Sequence, residues 1–99
     1  LKDYYGAIAD YTKAIEIDPN HSNAYINRGN AKQKLKDDYG AIADYTKATV
    51  FEPDSAFAYY GRGISKANLG DLNGACADLK KAASLGRTDA AKLVANYCN

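Results

Sequence analysis

The side chains in this sequence that could do chemistry are a pair of cysteines, a single histidine, a recurring arginine and aspartate set, and a run of amides. A thiol can attack a carbonyl, bind zinc or form a disulfide, but Cys76 and Cys98 stand in no CxxC arrangement and have no histidine at ligand spacing. A metal site is not expected from them. His21 falls between Pro19-Asn20 and Ser22, where no positioned partner that would make it a general base is predictable, so it reads as a solvated turn residue. The glycines occur singly, without the Gly-rich loop after a strand that cradles phosphate. No enzyme activity, metal or cofactor is expected. Arg28 and Arg62, with Asp10, Asp44 and Asp78, recur at fixed spacing and read as a ladder of inter-helix ion pairs, each worth at most about 1 kcal/mol where exposed, with a charged recognition strip as the alternative. Amides remain: Asn23, Asn27, Asn30 and Gln33 lie close together, in a segment where asparagine has poor helix propensity. Side-chain amides both donate and accept, so they can bond a peptide backbone.

Whatever positions these residues is repetitive. Residues 35–54 laid under residues 1–20 agree at 14 of 20 positions, at an offset of 34, and the block returns at 69–82 with Leu69, Asp71, Gly74, Ala75, Ala77, Asp78, Lys81 and Ala82 unchanged. The intervening segment repeats as well: Tyr25, Arg28, Gly29 and Lys32 answer to Tyr59, Arg62, Gly63 and Lys66. A period of this length marks a stacked array of two-segment units. Each segment reads as a helix. In residues 38–50 the spacing predicts a buried face of Tyr39, Ile42, Ala43, Tyr45, Thr46 and Thr49 or Val50, with Asp38, Asp44 and Lys47 opposite. Asp3, Asp37 and Asp71 are placed to cap helix starts, Asp54 or Ser55 to cap another, and Pro19 and Pro53 to end helices. Gly29 and Gly63 fall inside helices, where glycine costs about 1 kcal/mol against alanine, so close helix approach must offset them. Ala7, Ala41 and Ala75, then Ala14, Ala48 and Ala82, supply the facing small residues.

Length and charge narrow the rest. Ninety-nine residues make one small domain, and 13 basic against 12 acidic side chains leave a net charge of +1. That gives no field to hold phosphate backbones or anionic lipid, so neither nucleic acid nor a membrane is an expected partner. The cysteines fit a reducing compartment, such as the cytoplasm, as free buried thiols; antiparallel helices could bring them to one level, but a bond is not expected. Localisation otherwise stays open.

Tyr25, Arg28-Gly29, Lys32, Ala41, Tyr45 and Pro53, then Tyr59, Arg62-Gly63, Lys66, Ala75, Leu79 and Arg87, resemble the pattern of the tetratricopeptide repeat family. Arginine stands where the family has leucine, lysine replaces the second aromatic, and Arg87 replaces the second proline. The resemblance implies an all-α, right-handed solenoid of stacked antiparallel helix hairpins, a single domain over residues 1–99. Residues 1–20 become the second helix of an incomplete repeat, 21–54 and 55–87 full repeats, and 88–99 a capping helix with a polar stripe (Asp89, Lys92, Asn96, Asn99) opposite Ala90, Leu93, Val94 and Tyr97.

In that family the first helices of successive repeats line a concave groove for an extended peptide or a partner helix. Carried over by position, the groove is Asn23, Ile26, Asn27, Asn30 and Gln33, then Phe57, Tyr60, Ile64 and Ala67. The carboxylate clamp that some members use on acidic chaperone C-termini is not carried over: Ile26 or Phe57 stands where a lysine belongs, and Gly61 where an asparagine or a second basic residue belongs. The expected function is a protein-interaction scaffold binding a protein or peptide. The alternative is self-association, with Tyr4, Ala7, Ile8, Tyr11 and Ile15 as a bare N-terminal edge that packs on upstream repeats of a longer protein or on another copy in a homodimer. Of these the upstream repeats are the expectation.

Overall fold

The computed structural model describes residues 3–98, which fold into six helices: α1 (Tyr4–Ile17), α2 (Ser22–Lys34), α3 (Asp38–Phe51), α4 (Ala56–Asn68), α5 (Leu72–Ser84) and α6 (Thr88–Tyr97). Leu1, Lys2 and Asn99 lie outside the described residues, so Asn99's place in the polar stripe of the last helix does too. Each helix packs on the next in sequence, and α2 also touches α4. The molecule is elongated, 41 × 27 × 21 Å.

Caps set the helix boundaries. The carboxylates of Asp3, Asp37 and Asp71 accept from the backbone N–H groups of Gly6, Gly40 and Gly74 at 2.8, 3.0 and 2.9 Å. Ser55 does the same for Ala58 at 3.3 Å. His21 is exposed, as a turn residue should be, yet it also works: its Nδ1 accepts from the Ala24 N–H at 3.2 Å and opens α2. A ring nitrogen can fill the role that a short oxygen usually takes. The turns after α2 and α4 follow one plan, with Lys36 (φ 64°) and Gly70 (φ 85°) in the left-handed region. The next N–H, from Asp37 or Asp71, then returns to the carbonyl of Lys32 or Lys66. One aspartate therefore closes a helix with its backbone and opens the next with its side chain.

The core is built on small residues and one large ring. Ala41, Ala48 and Ala58 are fully buried with Tyr45, itself 0% exposed, and Ala82 and Ala90 are fully buried in a second cluster with Leu79. A Cβ on Gly29 would stand 3.0 Å from Tyr45 Cε1, and one on Gly61 only 2.5 Å from Cζ. The ring is thus clasped by two helices, tightly at Gly29 and with no room for a Cβ at Gly61, which is the compensation that Gly29 requires; Gly63 finds its own against Leu79, where a Cβ would stand 3.1 Å from Cγ. The α3 face expected from spacing is corrected here. Tyr39, Ala43, Thr46 and Val50 are exposed, while Asp38, Ala41, Asp44, Tyr45 and Ala48 are buried. Small side chains let the backbones close up, and two aspartates turn inward because partners meet them there.

Asp38 is met by Asn68, whose Nδ2 donates to its Oδ1 at 3.2 Å, and Asp44 by the ladder anticipated from Arg28 and Arg62, whose aspartates are buried. Arg28 Nε and Nη2 donate to Asp44 Oδ2 and Oδ1 at 2.9 and 2.7 Å, and its Nη1 reaches Thr12 Oγ1 at 3.2 Å. Arg62 repeats this with Asp78 at 2.8 Å twice and Thr46 at 3.2 Å. Lys32 and Lys66 add a second cation to each aspartate at 3.1 Å. Each arginine so ties three helices together, and the hydrogen bonds it donates to its aspartate hold the guanidinium above its ordinary pKa.

The cysteine expectation is overturned. Cys76 in α5 and Cys98 at the end of α6 form a disulfide, with Cα atoms 5.8 Å apart. Sequence levels alone matched, but the rotation of α6 about its axis, set by packing Ala90, Leu93 and Val94 inward, is what aims the two sulfurs at each other. A bonded pair also removes cysteine usage as an argument for a reducing compartment. Tyr97, expected on the inner face of α6, is 76% exposed.

Candidate functional site

The face formed by α2 and α4 carries the side chains singled out above. Asn23, Asn27 and Asn30 are exposed along α2, spaced one turn apart so that they share a stripe. Phe57 on α4 is 66% exposed, and Tyr60 and Ile64 are half-buried against the core cluster of Leu79, Ala82 and Ala90. Ile26 does not belong to this face. It is 7% exposed and packs with Tyr25, Ala41, Tyr45, Ala48 and Ala58, because the small residues opposite draw α2 close enough to enclose it.

Between α2 and α4 lies a cavity of about 280 Å³ lined by Asn30, Gln33, Lys34, Phe57, Tyr60, Gly61, Ile64 and Arg87. Five expected groove residues converge there, while Asn23 and Asn27 do not reach it. Lys34 and Arg87 were missed from sequence. Lys34 follows Gln33 directly on a stripe of amides, which was a usable signal. Arg87 looked only like a lost proline, yet its guanidinium lies 4.0 Å from the Tyr60 ring centroid and 4.9 Å from that of Phe57. Asp89 holds it by accepting from Nε and Nη2 at 2.8 and 3.0 Å, and this contact keeps the Asp89 carboxyl below the usual carboxylate range. The aromatic wall is therefore braced by a stacked, anchored cation.

The floor of the face is wired to the core. Tyr45, beneath Gly29 and Gly61, donates its hydroxyl to Asn30 Oδ1 at 2.6 Å. Gln33 donates from Nε2 to the Gly61 carbonyl at 3.0 Å and to the buried Ser65 hydroxyl at 2.9 Å, which joins α2 to α4. Burial, reinforced by Asp38 and Asp44, pushes the Tyr45 phenol well above its ordinary value near 10. The folded chain then keeps a proton that the unfolded chain releases above about pH 10, so this contribution to stability is intact below that pH and declines above it. A urea midpoint measured at pH 8 and at pH 11 should fall less in Tyr45→Phe than in the wild type. Equal falls would mean that Tyr45 does not carry the effect.

The N-terminal edge splits in the structure. None of Tyr4, Ala7, Ile8, Tyr11 and Ile15 is bare: all are half-buried, because α2 already covers part of α1. Ile15 packs on the core cluster around Tyr25 and Tyr45. Tyr4, Ala7 and Tyr11 instead line a second cavity of about 270 Å³ with Asn27, Asn30, Ala31 and Lys34. Asn30 and Lys34 border both cavities, so edge and groove are one continuous surface. Yet α1 has no fully buried residue, whereas Ala41, Asp44, Tyr45 and Ala48, the counterparts in α3 of its Ala7, Asp10, Tyr11 and Ala14, are all buried. Among the described residues, no group of histidine, cysteine and acidic side chains could hold a metal, and no helix is long and apolar enough to cross a membrane.

Comparison with known proteins follows the same lines. A family model described as "TPR repeat" matches residues 1–36 and one described as "Tetratricopeptide repeat" matches residues 22–55. No curated protein matches the chain. Among solved structures, the second TPR of Spaghetti (RPAP3), bound to the HSP90 peptide SRMEEVD, is 30% identical with a TM-score of 0.81, over 83% of this chain and 76% of that one. The first TPR of the same protein, bound to the same peptide, is 27% identical with a TM-score of 0.90, over 95% and 76%. The Arabidopsis OM64 TPR domain is 29% identical with a TM-score of 0.89, over 94% and 78%.

Proposed function

The chain belongs to the tetratricopeptide repeat family, a family of protein-interaction scaffolds, and from that premise we propose that its α2–α4 face holds an extended peptide of a partner protein and catalyses nothing. The cavity between α2 and α4 carries this reading, because it sets polar amides on one wall against Phe57, Tyr60 and Ile64 on the other. An aromatic anchor next to groups that can bond a main chain is the composition of a peptide groove. Two solved relatives that share this fold have a peptide bound, which supports peptide recognition as the general role. The partner of this chain need not be theirs, since the lysine and asparagine positions of a carboxylate clamp hold Ile26, Phe57 and Gly61 here.

The test is capture of peptides on the immobilised chain. Asn30→Ala and Tyr60→Ala should each weaken capture about tenfold, the loss for one central contact worth roughly 1 to 2 kcal/mol. Capture unchanged in both variants would sink the assignment.

A second reading rests on α1, whose outward residues become core in α3 once another helix lies against them. This face is a packing surface for a further helix, from a second copy of the chain in the case that solution measurements can examine directly. Light scattering should then report a dimer that Tyr11→Asp dissociates. A tight dimer indifferent to that substitution, or a monomer at all concentrations, rules edge pairing out.

A further inference from the structure

Asn30 and Gln33 are one helical turn apart on the same stripe, and the core fixes their hydrogen-bonding sense in opposite directions. The Tyr45 hydroxyl donates to Asn30 Oδ1 at 2.6 Å, so the amide's oxygen points inward and its NH₂ is left for the groove. Gln33 spends Nε2 on the Gly61 carbonyl and on Ser65 Oγ, so its NH₂ points inward and the carbonyl oxygen is left. Tyr45 and Ser65 are both fully buried, which makes each orientation a property of the core rather than of solvent. Both amides line the same cavity beside Phe57, Tyr60 and Ile64.

One outward donor and one outward acceptor, about 5 to 6 Å apart at their Cβ atoms, complement the C=O and N–H groups of an extended main chain. Lys34 and Arg87 are the charged residues at this cavity, and no carboxylate lines it. Arg87 is occupied by Asp89, whereas Lys34 is exposed and has no ion pair among the described residues. We infer that the groove reads its peptide by polarity of the main chain: Asn30 donates to a backbone carbonyl, Gln33 accepts from a backbone N–H, and Lys34 meets an acidic side chain next to that unit. The ligand class is an extended acidic segment held in one direction, with Tyr45 and Ser65 as positioning residues that never touch it. This deepens the groove reading and depends on it.

The probe is a random dodecamer peptide library displayed on phage, selected on the full chain, with the enriched sequences then synthesised as amides and as single amide-to-ester analogues. An ester deletes one N–H. At one position it should weaken binding to the wild type about fivefold, the loss of one hydrogen bond, and have no such effect on Gln33→Ala. Asn30→Asp keeps an acceptor for Tyr45 but has no N–H to donate, and should weaken every enriched peptide while its thermal midpoint stays near that of the wild type. Enriched sequences should share an acidic residue beside the ester-sensitive position and lose it as a consensus when selected on Lys34→Glu. The inference is overturned if no ester position matters, if the sensitive position persists in Gln33→Ala, if Asn30→Asp binds as well as the wild type, or if the sequences carry no shared acid. Failure to enrich any peptide overturns the groove reading itself, which is a separate result.

Discussion

Arg28→Ala is expected to lower the unfolding free energy by about 3 kcal/mol, the low end for breaking a buried ion pair by removing one partner. The reason is what stays behind. Asp44 is 3% exposed, and without the guanidinium it keeps only Lys32, a single point charge at 3.1 Å in place of two aligned N–H donors. The Nη1 bond to Thr12 goes too, so α1 loses a tie to α2 in the same step. Arg28→Lys should recover only part of the loss, because an ammonium cannot present the planar fork that a carboxylate accepts from. Arg87→Ala is the contrasting case: its partner Asp89 is exposed, so its midpoint should fall only as far as the loss of the ring contacts, about 1 kcal/mol, requires. Urea unfolding followed by circular dichroism measures all three. An Arg28→Ala midpoint equal to that of the wild type would show that the buried ladder contributes specificity of packing but little stability.

Reduction of the Cys76–Cys98 bond is the second large effect. A sequence separation of 22 residues gives about 3 kcal/mol by the chain-entropy argument. The loss should be local before it is global. Of α6 only Ala90 is fully buried, and a helix of 10 residues is marginal without tertiary support. Beneath the bond lies an apolar cavity of about 310 Å³ lined by residues including Ile64, Leu72, Leu79 and Leu93, which loosening of α6 would open to water. Thermal unfolding with and without reductant, together with amide exchange resolved by helix, should show a lower midpoint and early loss of protection in α6. The oxidised protein should yield no titratable thiol when unfolded. Two titratable thiols there, or the same midpoint in both conditions, would falsify the bond's structural role.

How much was legible depended on whether a feature is local or needs a neighbour. The aspartate caps and the mid-helix glycines could be found by period alone, because a repeat presents the same local problem every 34 residues, whereas the amides and aromatics of the proposed groove were placed only by carrying the family's first-helix positions over. Periodicity misjudged α3 for a definite reason. It assumes that large apolar residues face inward, whereas here the alanines are buried so that backbones can approach, and Tyr39 and Val50 are left outside. Ile26 was assigned to the groove by position and lies in the core for the same cause. His21 serves as a cap that its residue type did not announce.

By itself the sequence determined the chemistry available and the repeat that distributes it: an all-α array of short helices, with amides and aromatics on neighbouring first helices. Tertiary structure decided which of those groups are free to act. It buried Asp44 and Asp78 under their arginines, turned Asn30 and Gln33 in opposite senses through Tyr45, Gly61 and Ser65, and brought Cys76 to Cys98. The physical reason is common to all three. Helix rotation about its own axis is fixed by close packing of small residues across an interface, and a linear sequence specifies the residues on a helix but not the angle at which its neighbour meets them.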